Sequence, residues 1–291
     1  MKLGRLTVVG VGLIGGSFAL ALKRAGAVER VVGLGRSRAN LDRALALGVI
    51  DEIAPDAASA CLGADLVLLA VPVAQTAPML RQLAPHLPSD CVVTDGGSTK
   101  QDVVAAAQAE LGARLPYFVP AHPIAGAEQS GVEAASAGLY DGRLVVTTPL
   151  PQTAASAVRM VEAAWTACGA RVVQLTPQRH DEVFAAVSHL PHALAFTLVE
   201  MIAARPEAQQ LFSFAGAGFR DFTRIASSSP EMWRDICIAN RPALLREIEA
   251  FRAALEALAQ HLRAGDAQAL ARLFERARDA RDSWLQSMGA R

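Results

Sequence analysis

Glycines 10, 12 and 15 stand where a strand candidate, Leu6-Thr7-Val8-Val9, meets an Ala/Leu-rich helical stretch running to about Ala25. That spacing, between a strand and a helix, suits a dinucleotide. Gly10 permits the tight turn, Gly12 lets backbone approach a pyrophosphate, and Gly15 lets the helix pack on the strand. The helix N-terminus, at Leu13 and Ile14, then meets the anion. Val71 and Pro72, closing a later apolar run, join the expected cofactor contacts. The competing reading is a structural turn in an unrelated α/β domain.

The tip of the second strand candidate bears on which dinucleotide is bound. About 20 residues past the loop, an NAD site carries an Asp or Glu for the ribose hydroxyls. Here the segment reads Gly33-Leu34-Gly35-Arg36-Ser37-Arg38. The acid is absent. Arg36 can clamp a 2′-phosphate with charge-assisted bonds, Ser37 can donate to it, and Arg38 adds a second charge. NADP is favoured and NAD stays open; the alternative is a solvated surface arginine pair.

Four further polar stretches interrupt an apolar chain: Thr94-Asp95-Gly96-Gly97-Ser98-Thr99-Lys100, Ala121-His122-Pro123-Ile124-Ala125-Gly126-Ala127-Glu128, Ser188-His189-Leu190-Pro191-His192, and Gly218-Phe219-Arg220-Asp221-Phe222-Thr223-Arg224. The first two follow strand candidates, and open α/β sheets bind ligands at the carboxyl ends of their strands. His189 and His192 share a helix face, but a zinc site needs further ligands and only His180-Asp181 is near; no metal is expected. His189 reads equally as a residue that only caps or packs a helix start beside Pro191. Phe219 and Phe222 predict partial burial around Asp221 and Arg224, against the alternative of a surface ion pair. Lys100, Asp102 and Arg143 read as local charges outside the reacting set.

The elements that must position these groups fall into two halves. Apolar runs at Arg30–Leu34, Leu66–Val71, Cys91–Thr94, Tyr117–Val119, Leu144–Thr147 and Arg171–Gln174 alternate with helical patterns. Runs apolar throughout suit strands covered on both faces, and the alternation predicts a doubly wound parallel sheet, a Rossmann-type domain over residues 1–176. After Thr176-Pro177 only helical spacing follows, predicting an all-helical domain over residues 177–291. Leu244, Ile248, Phe251, Leu255, Leu258 and Leu262 form a heptad stripe. Gly265 breaks it, and Asp266 is a candidate N-cap for a last helix carrying Leu270, Leu273, Phe274, Ala277, Trp284, Leu285 and Met288.

Composition excludes whole classes. The 291 residues are 52% hydrophobic and 19% charged, too apolar for disorder. Lys plus Arg and Asp plus Glu each number 28, which argues against nucleic acid as the main partner. No run of ~18 uncharged apolar residues is found, so no membrane partner is expected. No signal peptide is read, and the four dispersed cysteines form no C-x-x-C pair, so a cytoplasmic protein is expected.

Taken in order, these stretches carry a family resemblance. Val9–Ser17, Asp95–Lys100, His122–Gly126, Ser188–His192, and Gly218–Ala226 running into Met232-Trp233 resemble the prephenate/arogenate dehydrogenases of tyrosine biosynthesis, over nearly the full length. The resemblance implies an oxidative decarboxylation. In that family a hydride leaves the ring carbon bearing the hydroxyl for a nicotinamide, the ring carboxylate leaves as CO2, and the ring becomes aromatic. It implies that His122 accepts a hydrogen bond from the ring hydroxyl, a role suited to an imidazole titrating near pH 6.5. It implies that Ser98 binds the same hydroxyl, that Arg224 clamps a substrate carboxylate, and that His192 contacts substrate. Glu128 and Asp221 match acidic residues that gate the site and hold its polar groups. Trp233 falls at the site's edge or near a subunit interface.

The preferred substrate is prephenate, with arogenate or dual use as the alternative. A β-hydroxy acid dehydrogenase of similar design commonly takes a lysine of its helical half as acid/base, and no lysine follows Lys100. A non-catalytic dinucleotide sensor would not need His122, Ser98 and Arg224 together. A homodimer through the helical half is expected from the heptad face and the resemblance. The chain runs to Arg291, so neither the tyrosine-sensing C-terminal domain of many relatives nor an N-terminal mutase extension is expected.

Overall fold

The computed structural model describes residues 2–126 and 131–289, the last two in backbone only. Glu128 lies outside the described residues. The chain forms two compact units, Met1–Arg241 and Pro242–Arg291.

The first unit opens with strand β1 (Leu3–Val9), helix α1 (Leu13–Arg24), β2 (Val28–Leu34) and α2 (Arg38–Ala46). β3 (Glu52–Ile53), α3 (Ala57–Cys61), β4 (Leu66–Leu69) and α4 (Thr76–Leu83) follow. Then come β5 (Val92–Asp95), α5 (Gln101–Glu110) and β6 (Phe118–Val119). These strands make one parallel sheet in the order β3-β2-β1-β4-β5-β6. The order reverses between β1 and β4, so the cleft of this doubly wound sheet opens where the glycine loop lies. All four residues of β4 are buried, because helices cover both faces. Phe18, Leu22, Tyr140 and Trp165 pack one side; Cys61, Leu80, Val103 and Phe118 pack the other. Each buried Leu contributes roughly 1.5–3 kcal/mol.

The single parallel sheet expected from the apolar runs ends earlier than the pattern suggested. β7 (Ala121–Pro123), β8 (Leu144–Thr147) and β9 (Arg171–Gln174) form a separate three-stranded sheet. β7 runs antiparallel to β8, and β8 parallel to β9. Pro120 marks the parting, since proline cannot donate to a ladder. The next amide, Ala121 N–H, donates to Asp95 Oδ1 at 3.0 Å instead of to a strand. His122 therefore sits inside a strand of the second sheet, not in a loop after the first. The short β3 carries too little pattern to be read from sequence.

Helix α6 (Ala155–Ala167) bridges β8 and β9. Beyond β9 the first unit is helical: α7 (Pro177–Phe184), a π-turn at Ala185–His189, α8 (Leu190–Ala203), α9 (Ala208–Ser213), α10 (Ala217–Thr223) and α11 (Pro230–Ala239). Thr176 caps α7, accepting from Arg179 N–H at 3.1 Å with Pro177 at the first position. Pro177–Ala203 is one helical run, long and apolar enough by composition to cross a membrane, although the sequence reading found no uncharged run of that length. Its buried His180, Asp181 and His189 instead bind other parts of the fold.

The second unit holds α12 (Arg241–Ala264) and α13 (Ala267–Gly289). Gly265 turns between them at φ +63, and Asp266 accepts from Ala269 N–H at 2.9 Å as the expected cap. Leu255, Leu262, Phe274 and Trp284 are exposed along these helices.

Candidate active site

The glycine loop is packed from within and open at one point. Gly10 has φ +92, and a Cβ there would lie 2.4 Å from the Ala70 carbonyl oxygen. A Cβ on Gly15 would lie 2.4 Å from the Gly10 carbonyl oxygen, whereas one on Gly12 would meet nothing within 4 Å. Gly12 begins α1 with no side chain capping it, so the first-turn amides at Leu13 and Ile14 are a ready anion site. Val71 borders the same turn, its Cγ1 3.1 Å from the Cβ position of Gly10; Pro72 is exposed beside it. The residues present thus fit a dinucleotide pyrophosphate. Tyr140, which the sequence did not single out, donates from its hydroxyl to the Ile14 carbonyl at 2.7 Å and holds the first turn of α1.

At the tip of β2, Arg36, Ser37 and Arg38 are all exposed. Ser37 Oγ caps α2 by accepting Asn40 N–H at 3.2 Å, leaving its own proton to donate. Arg38 is engaged with Asp42 at 2.8 Å.

Asp95, the last residue of β5, organises the candidate groups around it. Its Oδ1 receives Ala121 N–H, one residue before His122, and its Oδ2 receives Gly97 N–H at 2.8 Å, one residue before Ser98. Lys100 Nζ reaches the same Oδ2 at 2.5 Å. Gly96 packs between the cofactor loop and β7: its Cβ position is 3.1 Å from Ile14 Cγ2 and 3.8 Å from Pro123 Cδ. One carboxylate therefore ties the Ser98 turn and the His122 strand together beside the glycine loop. Lys100 proves fully buried, and Asp102, read as a surface charge, has a buried Oδ1 without a partner and a carboxyl raised by burial. Arg143 is exposed, as read.

His122 does not stand alone. Its Nδ1 is 2.8 Å from His180 Nε2, and His180 Nδ1 is 2.8 Å from Asp181 Oδ1. Phe184 walls the pair, its ring 4.8 Å from His122 and 4.5 Å from His180. Burial, with His180, Lys100 and His189 nearby, holds His122 well below its ordinary pKa. Burial also lowers His180 despite the Asp181 bond. Burial pushes the Asp181 carboxyl up, but hydrogen bonds from His180 and from the Gln101 and Lys100 amides outweigh it and leave the pKa lowered. Sequence reading met His180 and Asp181 only as insufficient metal ligands. The available signal was an adjacent polar pair on a helix that turns apolar after it.

A second pair of histidines follows on the same helical run. His189 is buried, its Nδ1 accepting from Asn240 Nδ2 at 3.1 Å, and its side chain makes no cap bond at the start of α8. Burial lowers its pKa to about 4. His192 donates Nδ1–H to the Ser188 carbonyl at 2.9 Å and stacks on Trp233, ring centroids 3.6 Å apart. Burial lowers its pKa as well, with Arg224 adding to the effect through its charge. His192, Trp233 and Arg224 therefore share one neighbourhood. Asp221 and Arg224 are exposed and Phe222 is 54% exposed, against the partial burial predicted there. The helix of Asp221 and Phe222 is only seven residues long and buries no residue fully, and Arg224 opens the turn after it.

A switch-point glycine loop beside a half-buried imidazole defines a nicotinamide-dependent dehydrogenase. The family described as "Prephenate dehydrogenase, nucleotide-binding domain" matches residues 18–174, and "Prephenate dehydrogenase, dimerization domain" matches residues 176–276. The chain is 38% identical to the prephenate dehydrogenase of Bacillus subtilis, covering 98% of this chain and 77% of that one. It is 34% identical to the cyclohexadienyl dehydrogenase of Zymomonas mobilis, covering 95% and 94%. Among solved structures, prephenate dehydrogenase from Aquifex aeolicus with hydroxyphenyl propionate and NAD+ superposes with a TM-score of 0.88 at 38% identity, covering 94% and 96%. The chain belongs to the prephenate dehydrogenase family.

Proposed function

We propose that this enzyme oxidatively decarboxylates prephenate to 4-hydroxyphenylpyruvate, with NADP as the preferred cofactor. The observation that carries the reading is the Asp95 carboxylate, which holds the His122 strand and the Ser98 turn together beside the cofactor loop. When bound, the nicotinamide supplies the hydride acceptor. His122, half-buried and kept neutral by desolvation, accepts the ring-hydroxyl proton as the hydride departs. Breakage of the ring–carboxylate bond releases CO2 and sends its electron pair into the ring, and His122 returns the proton to the ring oxygen. Ser98 hydrogen-bonds that oxygen. Arg224 binds a substrate carboxylate with its planar fork, and His192 contacts substrate from its stack on Trp233. Asp221 holds polar groups of the site, and Glu128 takes the same role by its place in the motif alone.

The exposed Arg36 and the Ser37 hydroxyl support the NADP preference. The domain division at residues 176 and 177 is our reading of the two halves, supported by the two family matches. A homodimer through the helical half is supported by the dimerization-domain match and by exposed Val187, Met201 and Phe214. Four free cysteines support a cytoplasmic enzyme. The test is reduced-cofactor formation with prephenate and arogenate, each paired with NADP and NAD. The highest kcat/KM is expected for prephenate with NADP. Faster turnover of arogenate overturns the substrate, and an NAD preference overturns the cofactor.

A further inference from the structure

The polar chain behind His122 begins at a helix end. Asp181 receives Lys100 N–H on Oδ1 at 2.8 Å, Gln101 N–H on Oδ2 at 2.9 Å, and Gln101 Nε2 at 3.3 Å. These amides open α5, so the carboxylate sits on the positive end of that helix. Every one of these partners is a donor, so Asp181 acts as an ionised acceptor. His180 Nδ1 must then carry a proton and donate it to Asp181. A neutral imidazole has one N–H, so His180 Nε2 is bare and accepts. His122 Nδ1, 2.8 Å away, is its donor. The remaining nitrogen, His122 Nε2, is left as a lone pair. The direction of each bond follows from the one before it, and the series starts at a carboxylate whose role cannot be reversed.

We propose that Asp181 and His180 are positioning residues that hold His122 in its Nδ1–H form, so that Nε2 is the nitrogen free to take a proton from substrate. The inference rests on the reading of His122 as the base. Without the two partners, His122 could place its proton on Nε2, and that nitrogen could accept nothing. Three residues from β7 and α7 thus act as one unit, with the α5 amides as its anchor. Asn240 secures the far side by donating from Nδ2 to the Asp181 carbonyl at 2.8 Å. A π-turn at Ala185–His189 directly follows Phe184.

The experiment is nitrogen NMR of histidine-labelled full-length enzyme, which reads imidazole tautomers directly, together with steady-state kinetics. His122→Asn assigns the His122 signals. The expected result is a His122 Nδ1–H tautomer in the wild type. In His180→Phe, which keeps a ring but removes the acceptor, the Nδ1–H signature is lost and kcat falls about 100-fold with KM little changed. Asp181→Asn moves the same two readouts in the same direction. An Nε2–H tautomer in the wild type overturns the proposal, as does unchanged kcat or a loss confined to KM in the variants. If His180→Phe fails to fold, the wild-type tautomer and Asp181→Asn still decide. If the wild type turns over neither prephenate nor arogenate, the functional reading falls while the tautomer measurement still stands.

Discussion

Lys100 Nζ and Asp95 Oδ2 form an ion pair at 2.5 Å with side chains 0% and 2% exposed. Such a pair is costly to leave half made: removing one partner strands a buried charge and costs about 3–5 kcal/mol. Lys100→Met is therefore expected to lower unfolding free energy by that order in urea titration. Because Asp95 also holds the Ser98 turn and the His122 strand, turnover of the folded fraction should drop as well. A variant as stable as the wild type would show that the backbone donors alone suffice for Asp95.

His122→Asn should reduce kcat by about 10²–10⁴-fold, the range for a lost general base, while cofactor binding persists. Burial, with His180, Lys100 and His189 nearby, holds His122 well below pH 6.5, so the base is already deprotonated at neutral pH. The wild-type kcat should stay level on acidification through 6.5 and fall only well below it. An acid limb centred at 6.5 would contradict this assignment.

The loop glycines should separate fold from binding. Gly15→Ala forces a Cβ to 2.4 Å from the Gly10 carbonyl oxygen, and overpacking of this kind costs about 1–3 kcal/mol. Gly12→Ala meets nothing within 4 Å and should leave Tm nearly unchanged. It should raise the dinucleotide KM roughly tenfold, equivalent to about 1.4 kcal/mol, by filling the approach to the pyrophosphate. Equal effects of the two on Tm would argue against an open approach at Gly12.

Arg36→Ala should cut kcat/KM for NADP roughly 10- to 100-fold, the value of a charged hydrogen bond at about 1.5–3 kcal/mol, with little change for NAD. Arg38→Ala should matter less, because Arg38 already pairs with Asp42 at 2.8 Å. Equal losses with both cofactors would refute recognition of a 2′-phosphate by Arg36.

Acid should unfold the protein through its buried histidines. His122, His180 and His189 all have lowered pKa values, His189 to about 4, with burial the largest cause in each. The unfolded chain binds their protons first, so stability is complete above about pH 6.5 and declines as pH falls below it. For His189 the decline runs down to about 4. Each group can add up to about 1.4 kcal/mol per pH unit. Denaturant melts across this range should show the loss, and His189→Asn should reduce its slope.

Much of the molecule was legible from local pattern. The glycine loop, the strands β1, β2, β4 and β5, the Thr176-Pro177 start of the helical half and the Asp266 cap all depend on residues within a few positions of one another. Such signals survive in a sequence because the backbone chemistry behind them is local. The burial expected around Asp221 was misleading for the same reason, since aromatic neighbours in sequence need not be covered in space.

By itself the sequence determined the dinucleotide loop, the order of polar stretches along the chain, and the change from alternating to helical pattern. Tertiary structure alone decided what those stretches touch. His122 and His180 lie 58 residues apart, and Lys100 and Asp181 lie 81 apart. No periodicity relates such pairs. They meet because Pro120 ends one sheet, β7 begins another, and α7 lays its polar pair against the start of α5. Buried donors and acceptors there must find partners wherever the packing brings them, and a sequence alone does not say which partners those are.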